Sequence, residues 1–178
     1  MIKTVVFLLL VVLIGGPLFI WFGVYNIAAT DKHWDITNEL IKIVKERSIE
    51  VRAEDIIEPT NLSNPERIAK AAANYQEMCA ACHLAPGINK SEINDGLYPK
   101  PPIFFKAAHG THDNKDNFWV IKNGIKLTGM PAWGGSHSDD EIWSLVAFIN
   151  KLNAMSSAEY KKLTSVKTGN HGHTGGHK

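Results

Sequence analysis

Both cysteines of this 178-residue chain lie in one short stretch, Cys79-Ala80-Ala81-Cys82-His83, and this stretch constrains the fold more than any other. No thiol is left over for a structural disulfide. The spacing C-x-x-C-H is that of a covalent c-type haem attachment site. The chemistry needs this order of residues. Two thiols on adjacent turns can each add to one vinyl group of the porphyrin, and the next residue then places an imidazole on one face of the iron. Attachment of this kind puts assembly on the outer side of a membrane.

Two other readings of C-x-x-C compete with haem. A thioredoxin-like redox pair would follow a β-strand near a βαβ pattern. Here the preceding run, residues 68–78, is alanine-rich and helical in character. A structural zinc site usually has a second pair of ligands. His109, His112 and His137 are available for one, but none of them sits in a compact zinc-type repeat.

A haem iron bound by one histidine still has an open face. Downstream lies Thr128-Gly129-Met130-Pro131-Ala132-Trp133. Gly129 allows backbone to come close to a flat group. Pro131 fixes its own dihedral and disfavours helix at Met130. The loop is therefore stiff where a thioether would have to be held. A lone methionine is otherwise core filler, but Met1, Met78 and Met155 lack such a setting. Met130 is the candidate for the second axial position.

With these residues in place, the chain resembles a class I c-type cytochrome in its membrane-anchored, single-haem form. Three blocks carry the likeness: Ala71 and Tyr75 leading into Cys79–His83; Ile121-Lys122-Asn123-Gly124 running into Thr128–Trp133; and Ser138 to Ile149. They cover residues 63–155. The resemblance implies an all-α cytochrome c fold, a small helical domain around one covalent haem c. It implies Cys79 and Cys82 as thioether anchors and His83 and Met130 as the axial ligands of the iron. It also implies a tight crossing of the first and last helices, with Ala71 and Tyr75 facing Phe148. The family usually has a proline whose carbonyl accepts the proton on the outer nitrogen of the haem histidine. Pro86, Pro99, Pro101 and Pro102 all follow His83, and sequence alone does not choose among them.

Residues 4–30 carry no charged side chain. The run exceeds the ~20 apolar residues needed to cross a bilayer and the roughly 7–15 of a signal-peptide core. A retained transmembrane anchor, residues 1–30, is expected rather than cleavage near Ala28-Ala29. Gly15-Gly16-Pro17 suggests a kink. Lys3 flanks one end, while Asp31 and Lys32 cancel at the other, so the positive-inside rule leaves the N-terminus in the cytoplasm. Trp21, Phe22 and Tyr25 suit the outer interface. The haem domain is then expected in a bacterial periplasm, on the inner membrane.

Residues 31–62 read as a partly helical connector. Ile36, Leu40, Ile43 and Val44 share one helical face, expected to pack on the chain's own domain, with a partner subunit as the alternative, and Asp31 or Thr37 is placed to start the helix. Ser63 with Glu66 reads as a capping box, as does Ser138 with Glu141. Residues 116–124 read as a short helix stopped by Gly124. Ile142, Leu145, Val146, Ile149 and Leu152 form a helical stripe. No segment alternates as a strand. Leu97, Ile103, Phe104 and Phe105 are available to pack on the haem, and Trp133 either to hydrogen-bond a propionate or to pack on the ring. Residues 156–178 read as a flexible His/Gly-rich tail, with His171, His173 and His177 available for copper, nickel or zinc.

The expected function is electron transfer, with no catalytic residues. The expected partners are a quinol-oxidising complex, a terminal oxidase or a periplasmic dehydrogenase, together with the membrane. Of the 19 Lys and Arg, only Lys3 precedes the charge-free run, and all 18 acids follow it, so the remainder is near neutral. No basic block points to nucleic acid. Lys100, Lys106, Lys115, Lys122 and Lys126 lie between the two axial candidates and suggest a weakly basic rim for an acidic partner. Two further readings are a gas or peroxide sensor with a displaceable Met130, and metal handling through the histidine tail.

Overall fold

The computed structural model describes residues 1–106 and 113–165. His109, His112 and the tail histidines 171, 173 and 177 lie outside the described residues. Among those described the structure is helical, with no strand and a single isolated bridge between Ala85 and Ile88. The chain divides into two compact units, Met1–His33 and the part from Trp34 onward.

The first unit is dominated by α1, Ile2–Trp21, which runs through Gly15, Gly16 and Pro17 as one element. None of its residues is buried. It is long and apolar enough to cross a membrane, a test that an N-terminal signal sequence also passes.

The second unit opens with α2, Asp35–Ala53. Its N-cap is Trp34, with no side-chain cap, so neither Asp31 nor Thr37 starts it. It packs against α6, Asn114–Asn123, through Ile49 and Ala53, which are buried. The stripe expected to bury does not: Ile36, Leu40, Ile43 and Val44 are all exposed. The reason is rotational. At 100° per residue, Ile49 and Ala53 fall on the side of the helix opposite that stripe.

The core is a helical sandwich in which α7, Asp139–Leu152, is enclosed by α3, Pro65–Asn74, and α6. Small residues allow the close approach of α3 and α7: Ala71 and Ala72 are buried. Tyr75 follows on the same face, its ring 5.3 Å from that of Phe148, as the resemblance implied. The expected stripe of α7 is buried, and so are Trp143, Ser144, Ala147 and Phe148, because α7 has neighbours on more than one side. Ser138 and Glu141 form the expected capping box. At α3 the cap is Asn64, not Ser63; the Asn64 side chain accepts from the Glu66 N–H, with Pro65 at the first helical position. Asp113 caps α6 and starts it two residues earlier than expected.

The chain beyond Ser156 also departs from the sequence reading. Residues Ser157–Ser165 form a further helix, which is numbered α8 below after the two short helices of the site. Tyr160 is buried there, and its hydroxyl donates to Gln76 Oε1 at 2.7 Å. A flexible tail from 156 is thus corrected, because one buried aromatic ties this segment back to the core.

Candidate functional site

The helix that begins with α3 changes pitch before it reaches the cysteines. Tyr75–Cys79 is a single π-helical turn, with the Ala80 N–H donating to the Tyr75 carbonyl five residues back. One more turn, α4, Ala80–His83, then carries Cys82 and His83. It ends at Leu84, whose φ of 59° and ψ of −176° belong to a region occupied almost only by glycine, at a cost of about 1–3 kcal/mol. Two bonds hold Leu84 there. Its N–H donates to the Ala80 carbonyl at 3.0 Å, and its carbonyl accepts from the buried Tyr75 hydroxyl at 2.8 Å.

His83 is fixed by the chain that follows. The Pro102 carbonyl lies 2.8 Å from Nδ1, and since a carbonyl can only accept, Nδ1 carries the proton. Nε2 keeps its lone pair for a metal. This selects Pro102 among the four prolines. Phe104, two residues on, stacks on the imidazole with ring centroids 4.6 Å apart and planes 19° from parallel. One loop segment therefore holds both the edge and the face of the ring. Burial lowers the pKa of His83, partly opposed by the bond to Pro102, and so keeps the ring neutral as a ligand must be.

Cys79 and Cys82 form no disulfide with each other. Burial, and then the neighbouring Cys82, push the Cys79 thiol up to about 12; burial raises Cys82 as well. Both are neutral thiols, and neither has the depressed pKa of a redox-active C-x-x-C pair. Asn94, buried on α5, Glu92–Gly96, donates from Nδ2 to the Cys82 carbonyl at 2.6 Å. Neither Asn94 nor α5 was expected from sequence. Ser91, whose hydroxyl accepts from the Asn94 N–H, was the available signal.

Met130 sits in a loop organised by backbone bonds and by one side chain, Thr128. The Ile125 N–H donates to the Met130 carbonyl at 3.2 Å, and the Met130 N–H donates to Thr128 Oγ1 at 3.1 Å. The loop is stitched back to α6, with Trp133 N–H on the Ile121 carbonyl and Gly134 N–H on the Lys122 carbonyl. Gly124 has φ +67°, and a Cβ there would lie 2.8 Å from Met130 O, Pro131 C and Ala132 N. Cys79, Phe104, Met130 and Trp133 all pack, half-buried, against the same core. The edge of Trp133 meets His137 at 5.6 Å.

The Cys79–His83 segment fits haem c: two thiols outside any disulfide and a neutral imidazole with one nitrogen committed to backbone. It fits a protein-held zinc less well, since no group of three or more His, Cys, Asp or Glu among the described residues could hold a metal ion. The lysine rim is thinner than expected. Lys100 donates to the Asn94 and Asp95 carbonyls, Lys115 to the Glu54 carbonyl, and Lys122 pairs with Asp139 at 2.7 Å.

Residues 66–149 match the family model described as "Cytochrome C oxidase, cbb3-type, subunit III". Neither the comparison with curated proteins nor that with solved structures finds a match. The matched residues span α3, the π-turn, the C-x-x-C-H motif, the Met130 loop and most of α7. This stretch of the chain is a c-type cytochrome domain, whose covalently bound haem c makes it a module for electron transfer.

Proposed function

We propose that the protein is a membrane-tethered periplasmic electron carrier in which Cys79 and Cys82 hold haem c through thioethers and His83 and Met130 occupy the axial positions. The observation that carries this reading is the His83 Nδ1–H bond to the Pro102 carbonyl, which leaves Nε2 as the ligating nitrogen. Bound haem supplies a reversible one-electron couple between ferric and ferrous iron, at the raised potential that Met/His ligation favours. The protein's own part is to keep that couple rigid. Pro102 and Phe104 restrain the imidazole, and the Thr128 and Gly124 contacts restrain the backbone around Met130. Neither ligand has to leave during electron transfer, so reorganisation is small.

The description of the matched family, that of an oxidase subunit, supports a respiratory setting with a terminal oxidase as acceptor; the donor we propose is a quinol-oxidising complex or a periplasmic dehydrogenase. In that setting the chain transfers electrons and transforms no substrate itself. We take α1 as the retained anchor, with the N-terminus in the cytoplasm.

Met130→Ala tests the ligand assignment. The variant should keep covalent haem, show a lower potential and bind carbon monoxide in the ferrous state near neutral pH. A wild-type spectrum and potential in this variant would defeat the assignment. Purification from native membranes in mild detergent tests the partner. A stoichiometric oxidase or dehydrogenase would make the chain a fixed subunit, whereas migration alone would make it a shuttle.

A further inference from the structure

The exposed stripe of α2 has no role in the haem site. Ile36, Leu40, Ile43, Val44 and Val51 are between 47% and 67% exposed, and all lie within about a third of the helix circumference. The opposite side, Ile49 and Ala53, packs on the domain. Thus α2 has two apolar faces, only one of which the fold uses. Its charges cancel, Asp35, Glu39, Glu46 and Glu50 against Lys42, Lys45, Arg47 and Arg52, so it offers nothing to a strongly charged partner.

Two observations indicate what covers the stripe. The first is continuity along the chain. Exposed apolar side chains continue from α1 through Phe22, Ile27 and Trp34 to Ile36, and the 22–34 segment can reach only ~45 Å even when fully extended. The second is area. The stripe measures ~25 Å by ~10 Å, far below the roughly 800 Å² per partner of a stable protein interface. A tethered face needs much less, because the tether already supplies a high effective concentration.

We propose that the Ile36–Val51 face of α2 lies on the lipid bilayer interface, as a floor on which the haem domain rests. This rests on the reading of α1 as a retained anchor. With its other face packed on α6, α2 would restrict the domain's tumbling and limit which of its surfaces meet a partner in the same membrane.

The test uses the full-length haem-loaded protein in phosphatidylcholine vesicles. Its native cysteines are consumed by the haem, so single cysteines at Leu40→Cys, Ile43→Cys and Lys42→Cys can carry a nitroxide. Labels at 40 and 43 should be several-fold less accessible to a water-soluble nickel chelate, and more accessible to oxygen, than the label at 42. Equal nickel access at all three positions, in protein that floats with the vesicles, overturns the proposal while leaving the anchor intact. Failure to float overturns the anchor reading, and the proposal with it. Protection in native membranes but not in phosphatidylcholine vesicles would assign the face to a protein and also overturn the proposal.

Discussion

The segments carrying His83 and Met130 are held by different means. His83 is held largely by side chains and by distant backbone: the Pro102 carbonyl on its edge, Phe104 on its face, Asn94 on the adjoining Cys82 carbonyl, and Tyr75 beneath Leu84. Met130 is held mostly by backbone bonds inside its own loop, with the Thr128 hydroxyl the one side chain among them, by two stitches to α6, and by the clearance at Gly124. The difference tells where each side is vulnerable. The histidine side should respond to loss of side-chain groups, and the methionine side to the addition of a Cβ.

Gly124→Ala should be the largest single effect on this contrast. It places a Cβ 2.8 Å from three backbone atoms and puts alanine in a conformation nearly reserved for glycine. Each penalty is about 1–3 kcal/mol, so a loss of roughly 3 kcal/mol is expected in denaturant unfolding of the haem-loaded protein. The methionine-side spectrum should weaken before global unfolding. An unchanged midpoint would show that the loop yields, and that the contrast with the histidine side is overstated.

Phe104→Ala comes next, at about 2 kcal/mol, below the usual loss for a fully buried ring because this one is only partly buried. Because the ring lies flat on His83, the variant should also broaden or rotate the ferric electron paramagnetic resonance g-tensor, while Phe104→Tyr restores it. A stability loss with an unaltered g-tensor would reduce Phe104 to filler.

Tyr75→Phe should cost about 1–2 kcal/mol, since it leaves the Leu84 carbonyl without its buried donor. It also carries a pH signature. Burial raises the phenolic pKa of Tyr75, and that of Tyr160, above the ordinary value of about 10. The unfolded chain then releases these protons first, so stability is full below pH ~10 and falls as pH rises above it. In Tyr75→Phe that fall should be shallower by the share of one group. Identical slopes of melting temperature against pH in the two proteins would refute this account.

The smallest effect is Thr128→Val, which removes the hydroxyl that accepts from Met130 N–H and donates to the Ile125 carbonyl. A loss of about 1 kcal/mol is expected by denaturant titration. A larger loss would show that the methionine side depends on side chains as much as the histidine side does.

Much of the molecule is legible in the chain itself. The C-x-x-C-H spacing, the glycine and proline around Met130, the Ser138–Glu141 cap and the α7 stripe are local patterns, and local patterns are what periodicity and capping rules read. The misreadings share one cause. The stripe of α2, the helix at Ser157–Ser165 and the tied-down lysines depend on what lies across the fold, not on neighbours in sequence. An apolar face says that something should cover it, not which of two opposite faces the domain will take.

The sequence by itself therefore determined the chemistry: two thiols, an imidazole and a thioether in an order suited to one covalent haem, behind a run apolar enough to span a membrane. The tertiary structure alone decided how that chemistry is held. Four prolines follow His83 with equal local claim, and Pro102 is chosen because the loop brings its carbonyl to 2.8 Å from Nδ1 across nineteen residues of chain. Asn94 and Phe104 join the site in the same way. A hydrogen bond or a ring stack depends on closeness in space, and for residues this far apart closeness is set by the packing of the whole domain.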